Sequence, residues 1–515
     1  MRRGQRPSSR DLRRRNASFS APVFGWNTRD NLVGMDVRFA RVLENMVVQG
    51  GSLCTRKGYT LAAASNTLAE SLAAYDWGAK KELFVATDGK LCVADFAQHT
   101  LIAKGEGYLN NRWNNLFYKG YLYFLNGQDA AVVYDGETIT EANFTQAGEA
   151  EEQTPADTRL FTAGVLHKNR LFFIERESLR FWYTKDAGAV QGEVLSFDLA
   201  QVARLGGHLT AAAAWTYSVS SGAQESQILF ITSEGEVLVY AGDNPSEVNN
   251  WALRGTYKIP RPLGSKCVCA LGGDLVYLGE DGYYMMSQLL SAPAAQKTAA
   301  FSDAINPTLS ELKNSFSNYG WTVKAYQADG LLIVNVPRSG AQAEQHVMNL
   351  QNGAWSRFSG LNALDWAELN GKLYFCGPGG VYQAQSGQND NGKGIAWRFM
   401  GAYSNLGQPY AKLLKELQLY YQGRNDLKFT VSVSVDFKKE YTAYQASPAA
   451  PQSRWDESPW DSTPWAAESA AVKKRIIPRM SQGMYFSFGV SGTSNNSEAK
   501  ILGYDVFFEQ SKNLA

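Results

Sequence analysis

A chain of 515 residues that is 44% hydrophobic, 12% aromatic and 19% charged has the composition of a folded protein with room for about two to four domains, which excludes the disordered and fibrous classes. No run approaches the roughly 18 consecutive apolar residues that span a bilayer, and the start Met-Arg-Arg-Gly-Gln-Arg leads into no apolar signal-type segment, so a non-secreted protein assembled in a reducing cytoplasm is expected. Five cysteines (Cys54, Cys92, Cys267, Cys269, Cys376) are too few, too scattered and odd in number for a disulfide framework, and read as reduced thiols.

Residues 1–34 form an arm and lead-in. Arg2, Arg3, Arg6, Arg10, Arg13, Arg14 and Arg15 stand against a single acid, Asp11. Such a density suits docking on an acidic surface or on phosphates, and equally a solvated terminus; the arginine- and serine-bearing start also imitates an organellar transit peptide. Setting aside the seven arginines and one aspartate of residues 1–15, the 50 basic and 49 acidic residues become 43 and 48, so the net +1 hides a body near −5. A globally basic nucleic-acid binder is therefore not indicated. Next, Met35, Phe39, Val42, Leu43 and Met46 recur near i, i+4, i+7, i+8 and i+11, which suits a short amphipathic helix or a structured lead-in.

From about residue 70 one pattern repeats: a short β-type run, a Gly, Asp or Asn turn, and a second run. Copies stand at 82–93, 120–134, 169–183, 227–240, 274–284, 330–336 and 372–382, a spacing of roughly 40 to 57 residues that suits propeller blades with uneven loops. Pairs such as Asp88-Gly89 and Asp281-Gly282 supply the turns. A single hairpin cannot bury both faces, whereas radially stacked sheets can. Residues 35–390 are therefore predicted to be a β-propeller of six or seven blades, seven preferred, with the helix as its lead-in; a long β-sandwich array is the competing all-β architecture. An acidic polar stretch at 144–158 reads as a connector within it.

The turn-rich segment 386–394 marks a linker, and residues 391–515 carry longer alternating runs that predict a C-terminal antiparallel β-sandwich. Within it, Trp455, Trp460 and Trp465 recur every five residues, with Pro459 and Pro464 supplying two turns, in a loop over 446–470. That spacing fits neither a strand face nor a helix face. Indoles bury large area for few torsions, so the loop is read as a packing or subunit contact, with sugar stacking or a membrane interface as alternatives.

Reactive chemistry is sparse. The four histidines (His99, His167, His208, His346) stand near no ligand pair, and Cys267 and Cys269 have no second pair at zinc spacing. Nucleophile elbow, phosphate loop and dinucleotide fingerprint are absent. The acids Asp76, Asp274, Asp365 and Glu368 are scattered, and the nearest approach to a sialidase-type Asp-box, at 386–397 around Asp390, occurs once and reads equally as an Asp-Asn-Gly turn. No catalytic residue, metal or cofactor is expected, and the protein is not read as an enzyme.

One resemblance remains. Gly25-Trp-Asn-Thr-Arg-Asp30, Met35-Asp36, Val42-Leu-Glu-Asn45, Gly50-Gly51 and Arg56-Lys-Gly-Tyr59 form an opening. Later come Gly242-Asp-Asn-Pro245, the segment 251–264, Gly273-Asp274, Asp281-Gly282, Ser302-Asp-Ala-Ile-Asn-Pro307, the segment 346–358 with Trp355-Ser-Arg-Phe358, and the Trp-Asp repeat. Together they resemble tail nozzle proteins of short-tailed double-stranded DNA phages, the group that includes the packaged-DNA stabilisation proteins. The arginine arm lies outside that pattern.

The resemblance implies a structural virion component, assembled in the host cytoplasm. It would form a ring, usually a hexamer, below the portal and adaptor rings, with needle, spike or fibre proteins at the distal end. It would retain packaged duplex DNA without sequence specificity and conduct it during ejection. A mildly acidic body suits that role, because each neutralised phosphate adds affinity that ejection must break. Arg2 to Arg15 would dock the adaptor, and Trp455, Trp460 and Trp465 would brace neighbouring subunits. The alternative is a propeller that binds glycan or a host receptor through an aromatic-lined rim and forms no ring.

Overall fold

A computed structural model describes residues 15–147, 153–218, 224–291, 300–423, 427–438, 440–445, 472–476 and 481–511. It is an all-β protein: only two α-helices occur among the described residues, Met286–Ser291 and Asn306–Glu311, each of six residues. The chain divides into two compact units. One takes Met1–Gly58, Asn352–Arg357 and Gly387–Ala515; the other takes Tyr59–Gln351 and Phe358–Ser386. The segment expected to run unbroken from 35 to 390 is thus interrupted, because residues 35–58 and 352–357 fold with the C-terminal strands.

The larger unit contains seven sets of mostly antiparallel strands, with Phe144–Ala147 and Gly192–Asp198 a parallel pair in the third and the sixth belonging to a ten-stranded sheet. Their first strands are Ala69–Trp77, Asn114–Tyr118, Phe161–His167, Leu209–Ser218, Val268–Leu271, Thr322–Tyr326 and Asp365–Leu369. Each is followed by the hairpin legible in the sequence. Strands such as Leu331–Ser339 and Glu236–Gly242 are apolar and buried almost throughout because both faces are covered. Asp88 and Gly89 both take positive φ (53° and 67°), the backbone that lets a two-residue turn match the twist of its strands. The seventh sheet is completed from far away: Tyr59–Ala64 pairs antiparallel with Gly380–Ala384.

Successive sheets share cores. Phe84 and Tyr75 of the first pack with Phe124 and Tyr134 of the second. Tyr123 of the second packs with Phe173 of the third, and Phe172 and Phe181 of the third with Phe230 of the fourth. Leu83 and Val85 of the first also pack with Tyr374 and Cys376 of the seventh. Each first strand lies against that of the next sheet, except that the fourth meets the fifth through Asp274–Gly279, and Asp365–Leu369 lies against Ala69–Trp77.

The other unit has two sheets. In one, Lys500–Gln510 pairs along Lys412–Gln422, and its opposite edge is covered first by Ser52–Thr55 and then by Arg15–Ser20. The second runs through Gly25–Trp26, Phe39–Glu44, Ile395–Gly401, Phe486–Ser494 and Lys428–Val435. Rings from the two sheets meet at Phe488 and Tyr504, 5.5 Å apart.

The lead-in helix expected over residues 35–46 is instead strand. Phe39–Glu44 pairs with Ile395–Gly401, and Met46–Gln49 with Ser52–Thr55. The helix-like spacing has a specific cause: register shifts between Ala40 and Val42, and Asn45 takes a left-handed φ of 54°. Each irregularity inserts a residue, so the buried positions Ala40, Leu43 and Met46 recur every three residues rather than every two.

Candidate functional site

The first strands of the seven-sheet unit enclose a cavity of about 400 Å³. Small residues on its walls, among them Ala73, Gly164, Ala212 and Ala367, leave the space open. Its charged groups come from three strands or their approaches: Lys266, Lys324, Asp365 and Glu368.

Asp365 opens its strand with its side chain 3% exposed. Its Oδ2 accepts from Lys266 Nζ at 2.6 Å and from Leu72 N–H at 2.9 Å, while Oδ1 accepts from Trp366 N–H at 2.9 Å. One carboxylate therefore fastens the seventh sheet to the first and to the approach of the fifth. Asn115 Nδ2 donates to Leu72 O, and Asn114 Nδ2 donates to Thr162 O, tying the second sheet to the first and third. A carboxylate holding three donors is committed to structure; it is poorly placed to take a proton or attack a substrate.

Of the other acids singled out in the sequence, Asp76 and Asp274 do not line this cavity. Asp76 meets Lys81 at 3.4 Å, and Asp274 accepts from Leu275 N–H, Ser287 N–H and Ser287 Oγ. Glu368 lines the cavity. No group of three or more metal-ligating side chains occurs among the described residues. All five cysteines are free thiols, and burial pushes Cys267 up to about 12 and Cys54 up to about 11.

A second constellation lies in the two-sheet unit. Arg56, 2% exposed, forms a two-pronged ion pair with Asp390: Nη2 to Oδ2 at 2.6 Å and Nη1 to Oδ1 at 2.8 Å. Its Nε donates to Asn45 Oδ1 at 2.9 Å, and Asn45 Nδ2 donates to Ala396 O. Beside it, Asn45 N–H donates to Arg357 O, Arg357 pairs with Glu44 at 3.1 Å and covers the Trp26 ring, and Gly25 pairs with Trp355. A Cβ on Gly25 would stand 2.7 Å from the Trp355 backbone, which requires glycine there. Asp390, which the sequence offered equally as an Asp-box-like residue or an Asp-Asn-Gly turn, is the counter-charge of a buried arginine.

Of the candidate docking arm, only Arg15 is described. It starts the strand Arg15–Ser20, donates from Nη1 to Gln408 Oε1 at 2.7 Å and lies over the Tyr410 ring. Arg2, Arg3, Arg6, Arg10, Arg13 and Arg14 lie outside the described residues, as do Trp455, Trp460 and Trp465. Sequence reasoning missed the Lys266–Asp365 pair. The available signal was an acid set inside the apolar run Ala363-Leu-Asp-Trp-Ala367, a place where a carboxylate must be paired.

No protein-family model matches the chain, and no curated protein sequence is significantly similar to it. Among solved structures, the computationally designed protein Ika8 is similar with a TM-score of 0.36 at 11% identity, over 64% of this chain and 99% of that one. BBS1N, solved in complex with ARL6DN, gives 0.39 at 12%, over 64% and 95%. Raptor of Chaetomium thermophilum gives 0.41 at 12%, over 64% of this chain and 29% of that one. Likenesses at these scores decide neither fold nor function.

Proposed function

We propose that the protein is a structural subunit of the tail of a short-tailed double-stranded DNA phage. It forms a ring, taken as a hexamer, below the portal and adaptor, encloses the DNA channel, retains the packaged genome and conducts it during ejection. In this reading the seven sheets are the blades of a β-propeller, closed by Tyr59–Ala64 on Gly380–Ala384, and the two-sheet unit is a β-sandwich.

The observation that carries the reading is where the resembling segments fall. Gly25-Trp26, Glu44-Asn45, Arg56 and Trp355–Arg357 come from distant parts of the chain and meet around one sheet. The cavity of about 400 Å³ is much too small for a duplex, whose major groove alone is ~12 Å wide. DNA must then pass between subunits, which is why the function needs a ring with a repeated head-to-tail contact. Arg2 to Arg15 dock the adaptor, and Trp455, Trp460 and Trp465 brace adjacent subunits.

Light scattering and negative-stain microscopy of the full chain, with and without a candidate adaptor ring, test this. A closed particle near six times 56.8 kDa, alone or on the adaptor, is the expected result. A strict monomer indifferent to portal assemblies overturns it.

A further inference from the structure

A second cavity in the seven-sheet unit, of about 360 Å³, lies against the turn between strands Lys90–Asp95 and Thr100–Glu106, the strand Tyr59–Ala64, and the hairpin of the seventh sheet. Phe96 and Tyr374 line it together with His99, Asn370, Lys372 and Gln383. We propose that it is a carbohydrate-binding site, with Phe96 as the platform for the apolar face of a pyranose ring and the four polar side chains as partners for its hydroxyls. The proposal does not rest on the ring reading.

The platform is built in place. Phe96 stacks on Tyr374, centroids 5.3 Å apart and planes 23° apart, and Tyr374 is only 5% exposed while Phe96 is 37% exposed. An anchored ring thus supports one whose surface remains open, so little side-chain freedom is lost when a ligand lands on it. The turn that carries Phe96 is fastened as well: Asp95 Oδ1 accepts from the N–H groups of Ala97 and Gln98, and His99 O accepts from Ala64 N–H. His99 itself takes a left-handed φ of 53°.

The polar groups match hydroxyls rather than a charge. His99 Nδ1 stands 3.0 Å from Ala62 O, and a carbonyl can only accept, so Nδ1 carries a hydrogen and Nε2 is the ring nitrogen left for a ligand. Asn370 and Gln383 each offer both donor and acceptor, and Lys372 offers donors. Among the described residues, none of the four side chains has another hydrogen-bond or ion-pair partner. A single cation is a poor anion site, and one histidine is a poor metal site. An apolar ligand would leave the polar rim unpaired. A small, neutral ring with one C–H face and several hydroxyls satisfies both halves, and the volume falls within the range of small-molecule sites.

Saturation-transfer NMR on the full chain, with the methyl pyranosides of glucose, galactose, mannose and N-acetylglucosamine as probes, tests the proposal. The expected result is transfer to the ring C–H protons of at least one sugar. Phe96→Ala should weaken that binding about tenfold or more, whereas Leu109→Ala, which removes another exposed apolar side chain of the same unit, should leave it unchanged. Asn370→Gly keeps the positive φ of that position while removing the amide, and decides the matter if Phe96→Ala fails to fold. No transfer from any of the four sugars, or transfer undiminished in the folded variants, overturns the site. Ring formation is read by scattering, so failure of either proposal leaves the other standing.

Discussion

Arg56 and Asp390 stand 334 residues apart in sequence and are joined by two parallel hydrogen bonds of 2.6 and 2.8 Å in the interior of the two-sheet unit. Removing the carboxylate would leave a guanidinium that water barely reaches. Asp390→Ala should lower stability by about 3–5 kcal/mol, read as a fall in the urea midpoint; a change within error would mean that the pair is not buried in solution.

Asp365 offers a parallel case in the seven-sheet unit. Asp365→Ala strands both Lys266 Nζ and the Leu72 amide and should cost about 3 kcal/mol. Asp365→Asn keeps an acceptor for Leu72 and should cost less. Equal losses for the two would argue that packing, not hydrogen bonding, is what the side chain supplies.

His167 predicts an acid sensitivity. Burial holds its imidazole below the usual 6.5, although Nε2 donates to Gly242 O, and Nδ1 is buried without a partner. The unfolded chain therefore binds the proton more readily than the folded one. This contribution to stability is whole above 6.5 and is lost as pH falls through the lower folded value. Melting followed from neutral pH down to about pH 5 should fall more steeply in the native protein than in His167→Asn; identical slopes would exclude the residue as a source.

Thiol labelling separates the cysteines. Cys54, Cys92, Cys267 and Cys376 are buried and Cys269 is half-buried on the cavity wall, with every thiol held above its ordinary value by burial. A maleimide should modify Cys269 first in the native protein and all five only in denaturant, as counted by mass spectrometry. Early labelling of Cys267 would contradict the packing of the fifth sheet.

Truncation divides the N-terminal segment. Deleting residues 2–14 should leave the melting temperature unchanged and weaken adaptor docking. Deleting residues 2–20 also removes the strand that pairs with residues 503–508, and should destabilise the unit and promote aggregation through the uncovered edge. Equal stability of the two truncations would show that the strand does not protect that edge.

The hairpins at 82–93, 227–240 and 372–382 were legible because their strands are buried on both faces and so read as unbroken apolar runs between turn residues. First strands such as Asn114–Tyr118 and Thr322–Tyr326 were not, since they border a cavity and mix polar with apolar positions. Tyr59–Ala64 was hidden for another reason: its partner lies more than 300 residues away, and no local turn announces the pairing. The helix expected at 35–46 failed because a register shift and a left-handed asparagine imitate a helical period. Arg56 and Asp390 carried no local sign of each other, as only the fold brings them together.

The interleaving of the two units governs how the chain is made. Residues 15–58 are synthesised well before the strands they pair with, such as Phe486–Ser494 by way of Ile395–Gly401, and Lys500–Gln510. At ~5–20 residues per second the first strands wait tens of seconds with unpaired edges while the seven intervening sheets form. The seventh sheet needs Tyr59–Ala64 kept available over the same interval. Assembly of the two-sheet unit therefore waits for residues 500–510, and a nascent chain stalled before them would present edge strands for chaperones to hold.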